Sequence, residues 1–123
     1  METVLIATDS DSIFDEVDAT FGSGSVRVER VRAGREVRGA VDEFNPSAVL
    51  LDMQIGSMGG VAACLDLRNE EGAGRMRRRR IVLLLDREAD VFLAEQSGAD
   101  AWVVKPLEAG TLASTVEAVR QPR

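Results

Sequence analysis

The chain has 123 residues, 45% of them apolar and 29% charged, and carries a formal net charge of −6. That length and composition suit one soluble domain, here residues 1–123, and exclude a membrane span, because no apolar run approaches the ~20 residues a spanning helix needs. The acidic balance argues against direct nucleic-acid binding by this chain, and one cysteine with no histidine leaves no internal disulfide, zinc set or histidine-based catalysis.

No basic stretch followed by an apolar one opens the chain, so no secretory leader is expected, and a reducing cytoplasm is the expected location. Val4, Leu5, Ile6 and Ala7 form a continuous apolar run that ends in Thr8, Asp9, Ser10 and Asp11. Ile13, Phe14, Val17 and Phe21 then recur at helical spacing, with Asp11 or Ser12 as the expected cap and Gly22 as the stop. Residues Val26 to Val31 alternate valine with arginine and glutamate, as an edge strand does. Val37, Ala40, Val41 and Phe44 mark a second amphipathic helix, closed by Asn45 and Pro46.

The run Ala48, Val49, Leu50, Leu51 lacks polar alternation, which describes a strand buried on both faces, and it ends on Asp52. Gln54, Gly56, Met58, Gly59 and Gly60 follow in a loop too flexible for a helix. Val61, Cys64, Leu65 and Arg68 predict a third helix with Cys64 toward the sheet as a small buried residue rather than a reactive thiol. The block Arg75 to Arg80 reads as a solvated loop. Ile81 to Leu85 is another buried strand, ending at Asp86. A short helix begins around Asp90 to Ala94, Ala101 to Val104 is a fifth strand ending on Lys105 and Pro106, and Leu107, Leu112, Val116 and Val119 stripe a last helix.

Five strands alternating with five helices imply right-handed crossovers and an α/β fold: one doubly wound, five-stranded parallel sheet in the flavodoxin-like order 2-1-3-4-5. That order sets Asp9 and Asp52 side by side at the switch point, where ligands bind at the carboxyl ends of strands, with Asp86 and Lys105 on the flanking strand ends. Crowded carboxylates in a wet cleft call for a hard cation, and oxygen ligands suit Mg2+. A lysine opposite supplies charge for a phosphoryl group, and a carboxylate can attack phosphorus to form an acyl phosphate. Asp52, alone at its strand end, is the expected nucleophile, and Gln54 stands where its carbonyl can face a metal. Without a metal, mutual repulsion among Asp9, Asp52 and Asp86 is expected.

These residues resemble the receiver domains of two-component response regulators, over essentially the whole chain. The resemblance rests on Asp9 after the first strand, Leu50-Leu51-Asp52 with Met58-Gly59-Gly60 downstream, and Gly98-Ala99-Asp100 before Val104-Lys105-Pro106, in a wording similar to actinobacterial receivers. It implies that Asp52 is the phosphoacceptor, that Asp9, Asp52 and the Gln54 carbonyl hold Mg2+, weakly, and that Lys105 binds the phosphoryl group before a cis proline. It also implies a histidine kinase or phosphotransfer protein as donor, a downstream protein partner, and a homodimer through the face of the fourth helix, fifth strand and fifth helix.

Four positions depart from the family pattern, one of them Gly56 in place of a proline in the loop after Asp52. Thr8 stands where a second acid is usual, so an indirect metal contact is lost or passes to Asp11. Asp86 stands at the switch position of a hydroxyl residue, where an ionised carboxylate repels a phosphoryl oxygen. Trp102 fills the place of a rotating aromatic, with more bulk to turn. These departures keep a second reading open, a pseudo-receiver that binds partners without phosphorylation. A third class, a hydrolase, rests on the similarity of Asp9-Ser10-Asp11 to the nucleophile motif of haloacid-dehalogenase phosphatases, without a cap insert or a later acidic pair.

Overall fold

The computed structural model describes residues 2–22 and 24–120. Strands β1 (Glu2–Ala7), β2 (Val26–Val31), β3 (Ala48–Asp52), β4 (Ile81–Leu85) and β5 (Ala101–Val104) form one parallel sheet in the order β2-β1-β3-β4-β5. Helices α1 (Asp11–Phe21), α2 (Val37–Phe44), α3 (Gly60–Gly72), α4 (Val91–Ser97) and α5 (Ala109–Arg120) fill the crossovers. The order and the helix count are those expected from the alternation of patterns in the sequence.

Strand period sorts the apolar runs onto two faces. Leu5, Ala7, Val49, Leu51, Ile81, Leu83 and Leu85 pack under α2, α3 and α4, while Val4, Ile6, Ala48, Leu50, Val82 and Leu84 pack under α1 and α5. All residues of β3 and β4 are buried. Each large side chain so buried contributes about 1.5–3 kcal/mol of hydrophobic stabilisation, which pins the strand ends that carry the polar groups.

Several local expectations change. The cap of α1 is Ser10, whose Oγ accepts the Ile13 N–H at 3.2 Å, rather than Asp11 or Ser12. On α3 the face toward the sheet is Gly60, Ala63, Cys64 and Leu67, the i, i+3, i+4, i+7 series, so Leu65 points outward and is 45% exposed. Leu107 precedes α5 instead of starting it. The arginine block is not a freely solvated loop, because Arg75 pairs with Glu70, Arg77 and Arg79 reach Asn45, and Arg78 pairs with Asp100. The peptide between Lys105 and Pro106 is cis.

Two glycines are fixed by close approach. A Cβ on Gly60 would lie 2.7 Å from the Asp52 carbonyl oxygen, and one on Gly34 would lie 1.7 Å from the Met58 carbonyl oxygen. Gly34 also donates its N–H to the Gly56 carbonyl at 3.1 Å. The loop after β3 is therefore tied to the turn before α2, and α3 starts directly against the end of β3.

Candidate functional site

The site forms where β1, β3, β4 and β5 end. Ala7 is in register with Leu51, Asp52 with Leu84 and Leu85 with Val104. The next residues along β1, β4 and β5 are Thr8, Asp86 and Lys105, which converge on Asp52 at the end of β3.

Asp52 is buried, 1% exposed, and accepts three hydrogen bonds. Thr8 Oγ1 donates to its Oδ2 at 2.6 Å, while the Gln54 N–H at 3.1 Å and Lys105 Nζ at 2.6 Å both reach Oδ1. Lys105 also donates to Asp86 Oδ1 at 2.9 Å, and the Gln54 side-chain amide donates to Asp86 Oδ2. Asp86 is thus in the site, and Lys105 lies between two carboxylates rather than opposite one. The expected repulsion between Asp52 and Asp86 is corrected accordingly, because a shared ammonium pairs them.

The charge states follow from these contacts. Burial pulls the Lys105 ammonium down, but hydrogen bonds to Asp52 and Asp86 and the attraction of both carboxylates outweigh it and hold Lys105 above its ordinary value. Burial pushes Asp86 up, yet the hydrogen bonds from Lys105 and Gln54, with the charges of Lys105 and Arg87, leave it below the usual carboxylate range. Lys105 is a cation and Asp86 an anion at neutral pH.

Asp9 stands apart from this cluster, exposed, with Gly56 N–H donating to its Oδ2 at 3.2 Å. Asp11 does not take over the role of the missing acid. Its exposed carboxylate is bound by Arg30 at 2.9 Å and Arg32 at 3.3 Å, which lower its pKa. Thr8 fills the vacancy differently, as a fully buried hydroxyl on Asp52 that also accepts the Ser10 N–H at 3.1 Å. Trp102 is half-buried on the open edge of the sheet, beside a groove with Arg78, Arg80 and α5, away from Asp52.

In donor chemistry the cleft suits a hard divalent cation, because Asp9 follows β1, Asp52 ends the paired strand β3, both offer only oxygen, and Asp9 is exposed to water. Magnesium is commonly held by one or two carboxylates and several waters, so the absence of a third acidic ligand among the described residues does not disqualify the cleft.

Fold and cleft together define a doubly wound α/β domain with an acidic cleft at the carboxyl ends of its strands. The chain matches the response regulator receiver domain family over residues 4–117, and it belongs to that family. It is similar to the DNA-binding response regulator MtrA of Mycolicibacterium smegmatis, 29% identical over 119 residues that make 95% of this chain and 50% of that protein. The chain therefore spans about half the length of that actinobacterial relative. Among solved structures it is similar to the signal receiver domain of a signal transduction histidine kinase from Syntrophus aciditrophicus, 26% identical, with a TM-score of 0.83 over 98% of this chain and 90% of that one. The receiver domain of the sensor histidine kinase PA1611 from Pseudomonas aeruginosa, with a magnesium ion coordinated in its active site cleft, shares the fold at a TM-score of 0.83 and 21% identity, covering 97% of both chains.

Asp52, Asp86, Gln54 and Lys105 lie together at the carboxyl edge of the sheet, and Thr8, for which sequence reasoning gave no contact with Asp52, is its direct partner. A signal for Thr8 was present: a polar residue directly after four buried ones, at the level of the β3 carboxylate, is bound to face it or water.

Proposed function

We propose that this receiver domain takes a phosphoryl group on Asp52, with Mg2+, and thereby controls a partner protein. The observation that carries this reading is the buried Asp52 carboxylate with Lys105 Nζ at 2.6 Å, at the carboxyl end of a central strand. An Asp52 oxygen attacks phosphorus; the new O–P bond forms as the bond from phosphorus to the donor breaks, and the donor leaves with that electron pair. For a histidine kinase or phosphotransfer protein the leaving group is an imidazole, which takes a proton from water. Lys105 follows charge from Asp52 onto the equatorial phosphoryl oxygens, in line with electrostatic stabilisation of a phosphoryl group in flight. Asp9, Asp52 and the Gln54 carbonyl are the residues to hold Mg2+, which when bound neutralises phosphoryl charge. Loss of the phosphoryl group to water is the domain's own reaction on this reading, and turnover of a separate substrate is not part of it.

We place the domain in the cytoplasm, where a kinase partner would meet it; none of its described helices is long and apolar enough to cross a membrane. A homodimer through α4, β5 and α5 is supported by Phe92 and Leu93 on α4, exposed to 65% and 44%. The net charge of −6 supports the absence of direct nucleic-acid contact by this chain.

Incubation with acetyl phosphate and magnesium, followed by intact mass and peptide mapping, tests the reading. One hydroxylamine-labile phosphoryl group on Asp52, absent from Asp52→Asn and Lys105→Met, is the expected result. Equal labelling of Asp52→Asn overturns it.

A further inference from the structure

We infer that the Asp86 carboxylate is an internal anion that competes with the incoming phosphoryl group for Lys105 and Gln54, so that residue 86 gates phosphorylation of Asp52. The inference rests on the reading of Asp52 as acceptor. Asp86 acts through Lys105 and is a positioning residue, not a catalytic one.

Geometry puts both Asp86 oxygens on groups that flank the nucleophile. Oδ1 holds Lys105 Nζ at 2.9 Å, and Oδ2 holds the Gln54 side-chain amide. Lys105 has three N–H donors, and two are spent on carboxylates. A phosphoryl group arriving at Asp52 needs the same ammonium, which Asp86 already holds.

One oxygen of the nucleophile is closed by the same arrangement. A carboxylate offers about four lone-pair directions, and three on Asp52 are filled by Thr8, the Gln54 N–H and Lys105. Both directions on Oδ1 are taken, so attack from that oxygen requires Lys105 to leave it and follow the phosphoryl oxygens. Asp86 resists that movement, because it holds the same ammonium by a second hydrogen bond at 2.9 Å.

Charge reinforces the point. Two carboxylates share one ammonium, so the cluster is already one negative charge in excess before a phosphoryl dianion enters. An uncharged residue at 86 removes the excess, and a hydroxyl there adds a donor for a phosphoryl oxygen. Asp86 also has room to yield, with 26% of its side chain exposed against 2% for Asp52. The lock can therefore open without unpacking the core.

The test compares wild type with Asp86→Asn, Asp86→Thr and Asp86→Glu across a series of acetyl phosphate concentrations at fixed magnesium. The neutral variants are expected to lower the half-saturating donor concentration at least about tenfold, while Asp86→Glu keeps the wild-type value. A second reading needs no phosphoryl chemistry: the Gln54 side-chain amide resonances, in metal-free buffer, are expected to move in Asp86→Asn and Asp86→Thr and to stay in Asp86→Glu. Two neutral variants guard against one that fails to fold, with cooperative thermal unfolding as the check. Wild-type labelling that neither neutral variant enhances, or Gln54 resonances that do not move, overturns the gate alone. Labelling absent from every chain, with Gln54 moving as expected, overturns Asp52 as acceptor and the gate with it.

Discussion

The two ends of the sheet carry similar numbers of charges and use them in opposite ways. At the amino ends of β4 and β5, Arg68 donates to Gly98 O, to both Glu71 oxygens, to Arg79 O and to Asp100, whose Oδ2 also accepts the Ile81 N–H. Arg78 adds a second cation on Asp100, so two acids meet two arginines and backbone groups fill what remains. At the carboxyl ends, Asp52 and Asp86 share the single ammonium of Lys105, and Asp9 waits at the rim. The closed network holds loops in place; the one short of a cation has a position to fill. Charge balance, more than charge content, separates scaffold from site.

Breaking the balanced end should cost most in stability. Arg68→Ala leaves Glu71 with the Arg79 N–H and Asp100 with Arg78 and the Ile81 N–H, removes the guanidinium that ties these two acids (12% and 14% exposed) together, and is expected to destabilise the domain by about 3 kcal/mol in urea unfolding. Acetyl phosphate labelling of the folded fraction should be unchanged.

At the unbalanced end, Lys105→Met removes the shared cation. Stability at pH 7 should fall by about 2 kcal/mol, and labelling of Asp52 should disappear, so the two assays respond together here and separately at Arg68. Thr8→Val keeps the shape of the side chain and deletes the hydrogen bonds to Asp52 and from Ser10 N–H; a loss of about 1 kcal/mol is expected, read from the urea midpoint.

Acidity sharpens the contrast by a smaller amount. Asp86 is held below its ordinary value of 3.8, so its stabilising contribution is present above that pH and is lost as the pH falls through the lower folded value. Lys105 is held above its ordinary 10.5, so its contribution is complete below that pH and is lost as the pH rises through the folded value. Thermal midpoints of wild type in metal-free buffer should therefore fall on both limbs, and Lys105→Met should flatten the alkaline one.

The sheet was legible because β1, β3 and β4 each carry an unbroken apolar run followed at once by a polar residue, as doubly covered parallel strands do. Asp52, Asp86 and Lys105 were legible for the same reason: strand ends are fixed by burial, and topology does the rest. Partnerships were not. Lys105 between two acids, Thr8 on Asp52 and Gln54 on Asp86 depend on rotamers and on sheet twist, which no periodicity encodes. The choice left open for Asp11 was not legible because its partners are Arg30 and Arg32, on a neighbouring strand and the loop after it, distant in sequence and adjacent through β1 and β2 pairing. The alternation of the arginine block across two sides was equally hidden, since its partners Glu70, Asn45 and Asp100 lie on three different segments.

Magnesium titration of wild type and Asp52→Asn, followed by amide chemical shifts, tests most directly whether the carboxyl end is the one short of a cation. Saturable shifts confined to Asp9, Asp52, Met53, Gln54 and Gly56 are expected in wild type and should be lost in Asp52→Asn. Shifts centred on Glu71 and Asp100, or a response that Asp52→Asn leaves unchanged, would contradict it.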